Sequence, residues 1–386
     1  MRVLHFLPVY VPAWQFGGPI LSVSRLCEGL VLQGVDVRVI TTNAGLPEFP
    51  TDQLGIPQTV NGVQVIYYPV DHQGGAIRSH RLVEALSDQM AWADLVHLSS
   101  IWQPLGIPVQ KAAHAAGVPV IQTLRGALGP YSWKRGWWKK IPYFFLKERP
   151  LLQRAAALHC TTNMEANEIA WLGLKPAVHC FPNPIDLSHL KYSPQLGDAW
   201  RQAMEISLAE PLMLVAGRLH HKKGLDLLLK VLTGISSRPW QIVFIGTDED
   251  GTGRWLRREL LRVGLAGRCH WFDHLPANQL SGPYNAADLL LLPSRHENFG
   301  NVVIEALACG CGVLVSDHVG VAETIRTCPG AIISPRIPER WISEIENTLS
   351  FKRPGRLSAE WALTLFSKSL VATHAKNIYT SVLSHE

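Results

Sequence analysis

ADLLLLPSRHENFGNVVIEALACG occupies residues 287–310. Residues 288–292 form an almost wholly apolar run stopped by Pro293-Ser294, the pattern of a short strand buried on both faces of a parallel sheet. An apolar helical run follows and ends at Gly310. This order predicts that Glu297 leaves the carboxyl end of a strand, and that Glu305 lies about one turn inside the next helix. Doubly wound sheets bind ligands in that crevice. The amides of Gly300, Asn301 and Val302 at the helix start suit an anion, and the flanking carboxylates accept hydrogen bonds from hydroxyls.

The same alternation extends through the chain. Strands are expected at 2–7, 35–41, 63–68, 95–98, 118–123, 157–161 and 177–181, then at 212–216, 241–245, 269–272, 288–292 and 312–316, with helices between them. Pro182-Asn183-Pro184 breaks the pattern. The fold class expected is α/β: two Rossmann-like parallel-sheet domains, 1–190 and 191–357, facing each other across a cleft. The helical stretch 358–386 is expected to pack back on the first domain. With 386 residues, 47% hydrophobic and 17% charged, the chain has apolar material for two cores and no signature of disorder. Its apolar runs fall well short of the roughly 20 residues that span a bilayer. The N-terminal MRVLHFLP turns into a loop too early for a signal peptide, and the seven scattered cysteines read as reduced thiols, so a cytoplasmic location is expected.

A second basic site lies in LVAGRLHHKKGLD, residues 214–226. A strand ends at Gly217 and a helix opens near Gly224. Arg218 offers a planar fork of donors and Lys223 a compact charge, a pair suited to a diphosphate. The dinucleotide fingerprint is absent: the glycines after the first strand come too late, and those at 246, 251 and 253 have the wrong spacing.

Glu-x7-Glu with Phe299-Gly300 after the first glutamate, together with Gly217-Arg218-Leu219 and Lys223-Gly224, resembles the retaining glycosyltransferases of family 4, which have the GT-B fold. The resemblance implies that Glu297 contacts a donor sugar and Glu305 the ribose, while the backbone of Phe299, Gly300, Asn301 and Val302, with Arg218 and Lys223, holds the diphosphate. Asn298 stands where the family usually has glycine. Gly17-Gly18 is implied to lie near the donor phosphates and the acceptor. Glu297, His97 and Arg125 are the candidate catalytic residues. Some relatives have histidine at the Arg125 position, and arginine is no general base at neutral pH. His97 is the alternative, and a front-face mechanism in which the leaving phosphate takes the acceptor proton needs no protein base.

The implied function is sugar transfer from a nucleoside diphosphate sugar, UDP- or GDP-linked, to a glycan or lipid-linked saccharide in cell-surface polysaccharide synthesis, with no metal. Asp248-Glu249-Asp250 mimics a metal motif but sits in a polar turn. A GT-B sugar-nucleotide epimerase and a catalytically silent glycan- or membrane-binding relative remain alternatives. Residues 131–149, YSWKRGWWKKIPYFFLKER, mix seven aromatics with six cations and the single acid Glu148, a surplus equal to the formal +5 of the whole chain. That mixture suits an anionic membrane surface and a peripheral position on the inner face of the cell membrane. No recognition motif supports nucleic acid.

Overall fold

The computed structural model describes residues 1–13, 17–72, 75–134, 136–186, 189–349 and 354–384. The chain forms two compact units, Met1–Pro184 with Lys368–Glu386, and Ile185–Ser367. In the first, β1 (Arg2–Val9), β2 (Asp36–Thr42), β3 (Pro57–Val60), β4 (Val63–Tyr68), β5 (Leu95–Leu98), β6 (Val120–Thr123), β7 (Ala157–Cys160) and β8 (Ala177–Cys180) make one sheet, ordered β3-β4-β2-β1-β5-β6-β7-β8. Only the β3–β4 pair is antiparallel. Strand order reverses between β1 and β5, which opens a crevice at their carboxyl ends.

The second unit holds β9 (Leu212–Ala216), β10 (Gln241–Ile245), β11 (Cys269–Phe272), β12 (Leu289–Leu292), β13 (Gly312–Ser316) and β14 (Ala331–Ser334), ordered β11-β10-β9-β12-β13-β14. Its named pairs are all parallel. Alternate residues go to opposite faces, as the two-residue period requires. Leu214, Val243, Leu290 and Val313 enter one core, whereas Met213, Ile242, Leu289 and Leu314 enter the other. Burial on both faces is why these strands read as unbroken apolar runs. Here the switch point falls between β9 and β12.

Two strands had no counterpart in the sequence reading. β3 is an exposed or half-buried edge strand with no apolar run, and β14 is a short strand at the other sheet's edge. The terminal stretch expected at 358–386 is two helices, Arg356–Phe366 and Lys368–Ser384. Extended backbone at Ser367 separates them (φ −62°, ψ 146°), and Ile185 N–H bonds the Phe366 carbonyl at 2.8 Å. The first helix therefore belongs to the second unit, and the crossing comes at 184/185 and 367/368.

The last helix packs on Gly18–Leu32. A Cβ at Gly29 would lie 2.6 Å from the Lys368 carbonyl oxygen and 2.9 Å from the Ala372 Cβ. Lys368 pairs with Glu28 at 3.0 Å, and Lys376 donates to the Gln33 carbonyl at 2.7 Å. Gly29→Val should therefore cost about 1–3 kcal/mol, the range for overpacking a core, read as a lower urea midpoint. An unchanged midpoint would show that the two helices separate without loss.

Candidate active site

The loops after β9 and β12 lie side by side at the switch point of the second unit. Arg295 N–H donates to the Lys222 carbonyl at 2.7 Å. Gly224 has φ +68°, and a Cβ there would stand 2.0 Å from the Pro293 carbonyl oxygen, so only glycine allows this approach. The contact brings Lys223 Nζ within 2.7 Å of Glu297 Oε2, both side chains mostly buried. Val302 also reaches this point: its Cγ1 lies 4.0 Å and Lys223 Nζ 3.6 Å from where a Gly217 Cβ would be.

The Glu297 loop is stitched to residues 318–321. Glu297 N–H donates to the His318 carbonyl (3.0 Å), Gly320 N–H to the Glu297 carbonyl (2.8 Å) and Val321 N–H to the Phe299 carbonyl (2.9 Å). Phe299 anchors the loop edge-on to Phe366, centroids 6.1 Å apart. Gly300 has φ +99°, and a Cβ there would meet Val319 Cγ1 at 2.8 Å. It opens the helix Asn301–Ala308 without a side-chain cap. The first amides of a helix have no acceptor within it, and the helix dipole favours an anion there. Glu305 lies in this helix and accepts from the buried Tyr284 hydroxyl at 3.0 Å. Tyr284 stands 21 positions away, and nothing in the sequence signals that pairing.

Arg218 stands apart from this group. It pairs with Glu249 at 2.8 Å in an exposed ion pair, of a kind worth at most about 1 kcal/mol. In the acidic turn, Asp248 accepts from Gly253 and Arg254 N–H, both at 3.0 Å, and Asp250 from Thr252 N–H at 3.1 Å. These carboxylates cap the helix Thr252–Arg262. His221 and His220 reach Asp250 at 2.8 and 3.5 Å. Their ligand atoms lie within 4.8 Å of one another, a grouping the sequence reading did not foresee.

In the first unit Gly17 precedes the helix Gly18–Leu32 with φ +87°, and among the described residues no atom beyond its chain neighbours lies within 4 Å of where its Cβ would be. Trp14, Gln15 and Phe16 of this loop lie outside the described residues, as does Arg135. Ser22 Oγ meets the Gly18 and Pro19 carbonyls, each at 3.1 Å, and accepts from Arg125 Nη1 at 2.7 Å.

His97 has a different setting from the one its candidacy required. It is 1% exposed, and both ring nitrogens are engaged. His159 Nε2 faces the Phe181 carbonyl (3.0 Å), so it must donate. His159 Nδ1 then accepts from Thr123 (3.0 Å), Thr123 accepts from His97 Nε2 (2.6 Å), and His97 Nδ1 accepts from Tyr379 (2.6 Å). This one-way chain fixes both rings as neutral Nε2–H tautomers. Burial drives the pKa of His97 well below the ordinary value and that of His159 to about 3. His97 thus holds the fold and offers no nitrogen to a ligand. The buried partners of a strand-end histidine lie far off in sequence, which is why the residue looked available.

Arg125 sits at φ +49°. Its Nη1 donates to Ser22 and to Asn183 Oδ1 (2.9 Å), and burial lowers its pKa to about 10. It lines a cavity of about 420 Å³ among the loops after β1, β2, β4, β5 and β6.

Along 131–149, Trp137, Trp138, Phe145 and Leu146 are more than half exposed, and so is nearby Trp171. Glu148 points inward, 1% exposed, accepting from Trp102 N–H at 3.0 Å, and burial lifts its pKa to about 7. The only acid of the stretch is thereby withdrawn from its surface. No helix among the described residues is long and apolar enough to cross a membrane.

Two family models cover most of the chain: "Glycosyl transferase 4-like domain" over 17–184 and "Glycosyl transferases group 1" over 198–357. The D-inositol 3-phosphate glycosyltransferase of Segniliparus rotundus is 27% identical over 72% of this chain, an alignment spanning 60% of that protein's length. The enzyme of the same name from Jonesia denitrificans is 25% identical over 90% of this chain and 87% of its own. Among solved structures, sucrose-phosphate synthase from Thermosynechococcus elongatus superposes with a TM-score of 0.75 at 18% identity, over 100% of both chains. Anabaena HepE in complex with UDP gives 0.77 at 16% identity, over 99% of this chain and 100% of that one. The chain belongs to the group 1 glycosyltransferases of family 4 and has the GT-B fold.

Proposed function

We propose that this glycosyltransferase moves a sugar from a nucleoside diphosphate sugar to a hydroxyl of a glycan or lipid-linked saccharide, with retention at the anomeric carbon. The observation that carries the reading is the 2.7 Å Lys223–Glu297 pair beside the uncapped helix start at Gly300. One spot thus combines a cation and helix-start amides for a departing diphosphate with a carboxylate for sugar hydroxyls. Arg218 adds a second cation, Glu305 with Tyr284 receives the ribose, and Gly17-Gly18 lets the backbone of its own loop approach a ligand closely. Anabaena HepE has been solved with UDP-glucose, which supports a UDP-linked donor.

In the proposed step the bond from the anomeric carbon to the phosphate oxygen breaks as the acceptor oxygen bonds to the same face. The acceptor proton passes to the departing phosphate oxygen. With His97 committed to Thr123 and Tyr379, this front-face route fits better than one using a histidine base. Metal-independent catalysis is part of the proposal, the cations above serving to neutralise the leaving group. The exposed tryptophans with the exposed Lys139 and Lys147 favour docking on the anionic inner face of the cell membrane, where lipid-linked acceptors of surface polysaccharide are met.

A thermal-shift screen against UDP, GDP and ADP, with and without EDTA, tests the donor site. A nucleotide at a hundred times its dissociation constant adds about 2.7 kcal/mol. We expect a shift with one of them, unchanged by EDTA and lost in Glu305→Ala. No shift with any nucleotide overturns the proposal.

A further inference from the structure

The cavity of the first unit holds a cation that the protein itself does not neutralise. Among the described residues Arg125 makes no ion pair. Its hydrogen bonds run from Nη1 to two neutral acceptors, Ser22 Oγ at 2.7 Å and Asn183 Oδ1 at 2.9 Å, and its buried Nε has no partner. Glu165 is the acid whose charge favours this cation. Its carboxylate is taken up by Gly126 N–H, Thr161 N–H (2.7 Å) and Thr161 Oγ–H (3.0 Å), and burial pushes it toward the neutral form. A sequestered guanidinium costs several kcal/mol unless an anion meets it, roughly the penalty for one unpaired ion in a protein interior.

The same cavity wall carries Ser100, which is 5% exposed and whose hydroxyl has no hydrogen-bond partner among the described residues. Ser99, Gln103 and His72 add polar groups to a lining otherwise made largely of Leu, Ile, Val, Ala and Pro. A volume of about 420 Å³ matches one or two sugar rings. An orphan cation, an orphan hydroxyl and room for a saccharide thus occur together.

We propose that this cavity binds an anionic saccharide, with its carboxylate or phosphate against the Arg125 guanidinium and a hydroxyl on Ser100. The inference rests on the proposed sugar transfer and names the chemistry of the bound sugar. The anion belongs either to the acceptor or to an acidic donor sugar.

Titration calorimetry on the full chain separates these cases, using glucose, glucuronate, glucose 6-phosphate and inorganic phosphate as probes. We expect an acidic sugar to bind at least about tenfold tighter than glucose, a gap of about 1.4 kcal/mol. Arg125→Gln should erase the preference, Arg125→Lys should keep part of it, and Ser100→Ala should weaken every sugar. Nucleotide binding, read by thermal shift on the same variants, reports both folding and the donor site. A preference seen among free sugars assigns the anion to the acceptor. A preference for UDP-glucuronate over UDP-glucose that Arg125→Gln removes assigns it to the donor. Equal affinity for glucose, a preference that survives Arg125→Gln, or inorganic phosphate binding as tightly as its sugar ester would overturn the inference. So would nucleotide binding with no sugar bound, an outcome that leaves the donor site intact. Loss of nucleotide binding in the unmodified protein would instead bring down the reading beneath it.

Discussion

Lys223→Ala will lower turnover about 10²–10³-fold, the cost of removing one preorganised charge from a developing anion. The Nζ atom, 2.7 Å from Glu297 and close to Gly217 and Val302, is held by the Gly224 turn against the carbonyl of Pro293. It therefore needs no reorganisation as the phosphate departs. Arg218 is the comparison. Arg218→Ala should cost less, because among the described residues its guanidinium pairs only with the exposed Glu249. Glu297→Gln separates charge from shape: it releases Lys223 from its pair but still offers an amide to sugar hydroxyls. The measurement is nucleotide release from whichever donor stabilises the protein. Wild-type turnover in Lys223→Ala would remove this residue from the leaving-group site.

Mild acid will unfold the first unit. His5, His97 and His159 are each 1% exposed. Burial brings His5 and His159 to about 3 and drives His97 well below its ordinary value. In the unfolded chain each titrates near 6.5, so between that value and the folded one the unfolded state binds more protons. Stability is then complete above about pH 6.5 and falls as pH drops below it, by about 1.4 kcal/mol per histidine per pH unit. Three histidines lose about 6 kcal/mol by pH 5, comparable to the whole stability of an ordinary domain. Urea midpoints at pH 7.5 and 5.5 measure the slope. His5 offers a discriminating variant, since among the described residues neither of its ring nitrogens has a partner. His5→Leu should reduce the pH slope by about a third and at neutral pH should cost little or even stabilise, because it deletes a buried unsatisfied group. A slope unchanged by His5→Leu would assign the acid sensitivity to other groups.

Local chemistry was enough to expose much of this protein. Residues buried on both faces of a parallel sheet must be apolar at consecutive positions, so β5, β9, β10 and β13 have the bounds expected from their sequences, and so do β4 and the half-buried edge strand β11. A glycine before an apolar helical run marks the helix start at Gly300 for the same kind of reason. β3 escaped notice because an edge strand in solvent needs no apolar run. The terminal helices looked like one because the break at Ser367 is made by a hydrogen bond from Ile185.

Pairing across distance was a different matter. Lys223 and Glu297 are 74 positions apart, and the order of strands, with β12 inserted beside β9, brings them together. His97 and Arg125 show the limit most clearly. His97 lies within β5 and Arg125 just after β6, and both looked available to a ligand. Register sets His5 beside His97 and Thr123 beside His159, and Tyr379 arrives from the last helix to complete the chain through His97. Among the described residues Arg125 meets only neutral acceptors, which leaves its charge facing the cavity. Sequence sets which groups a residue carries and which local backbone it prefers. Whether a charge is spent inside the fold or left for a ligand depends on what else is buried beside it, and that is decided only when distant strands and helices pack.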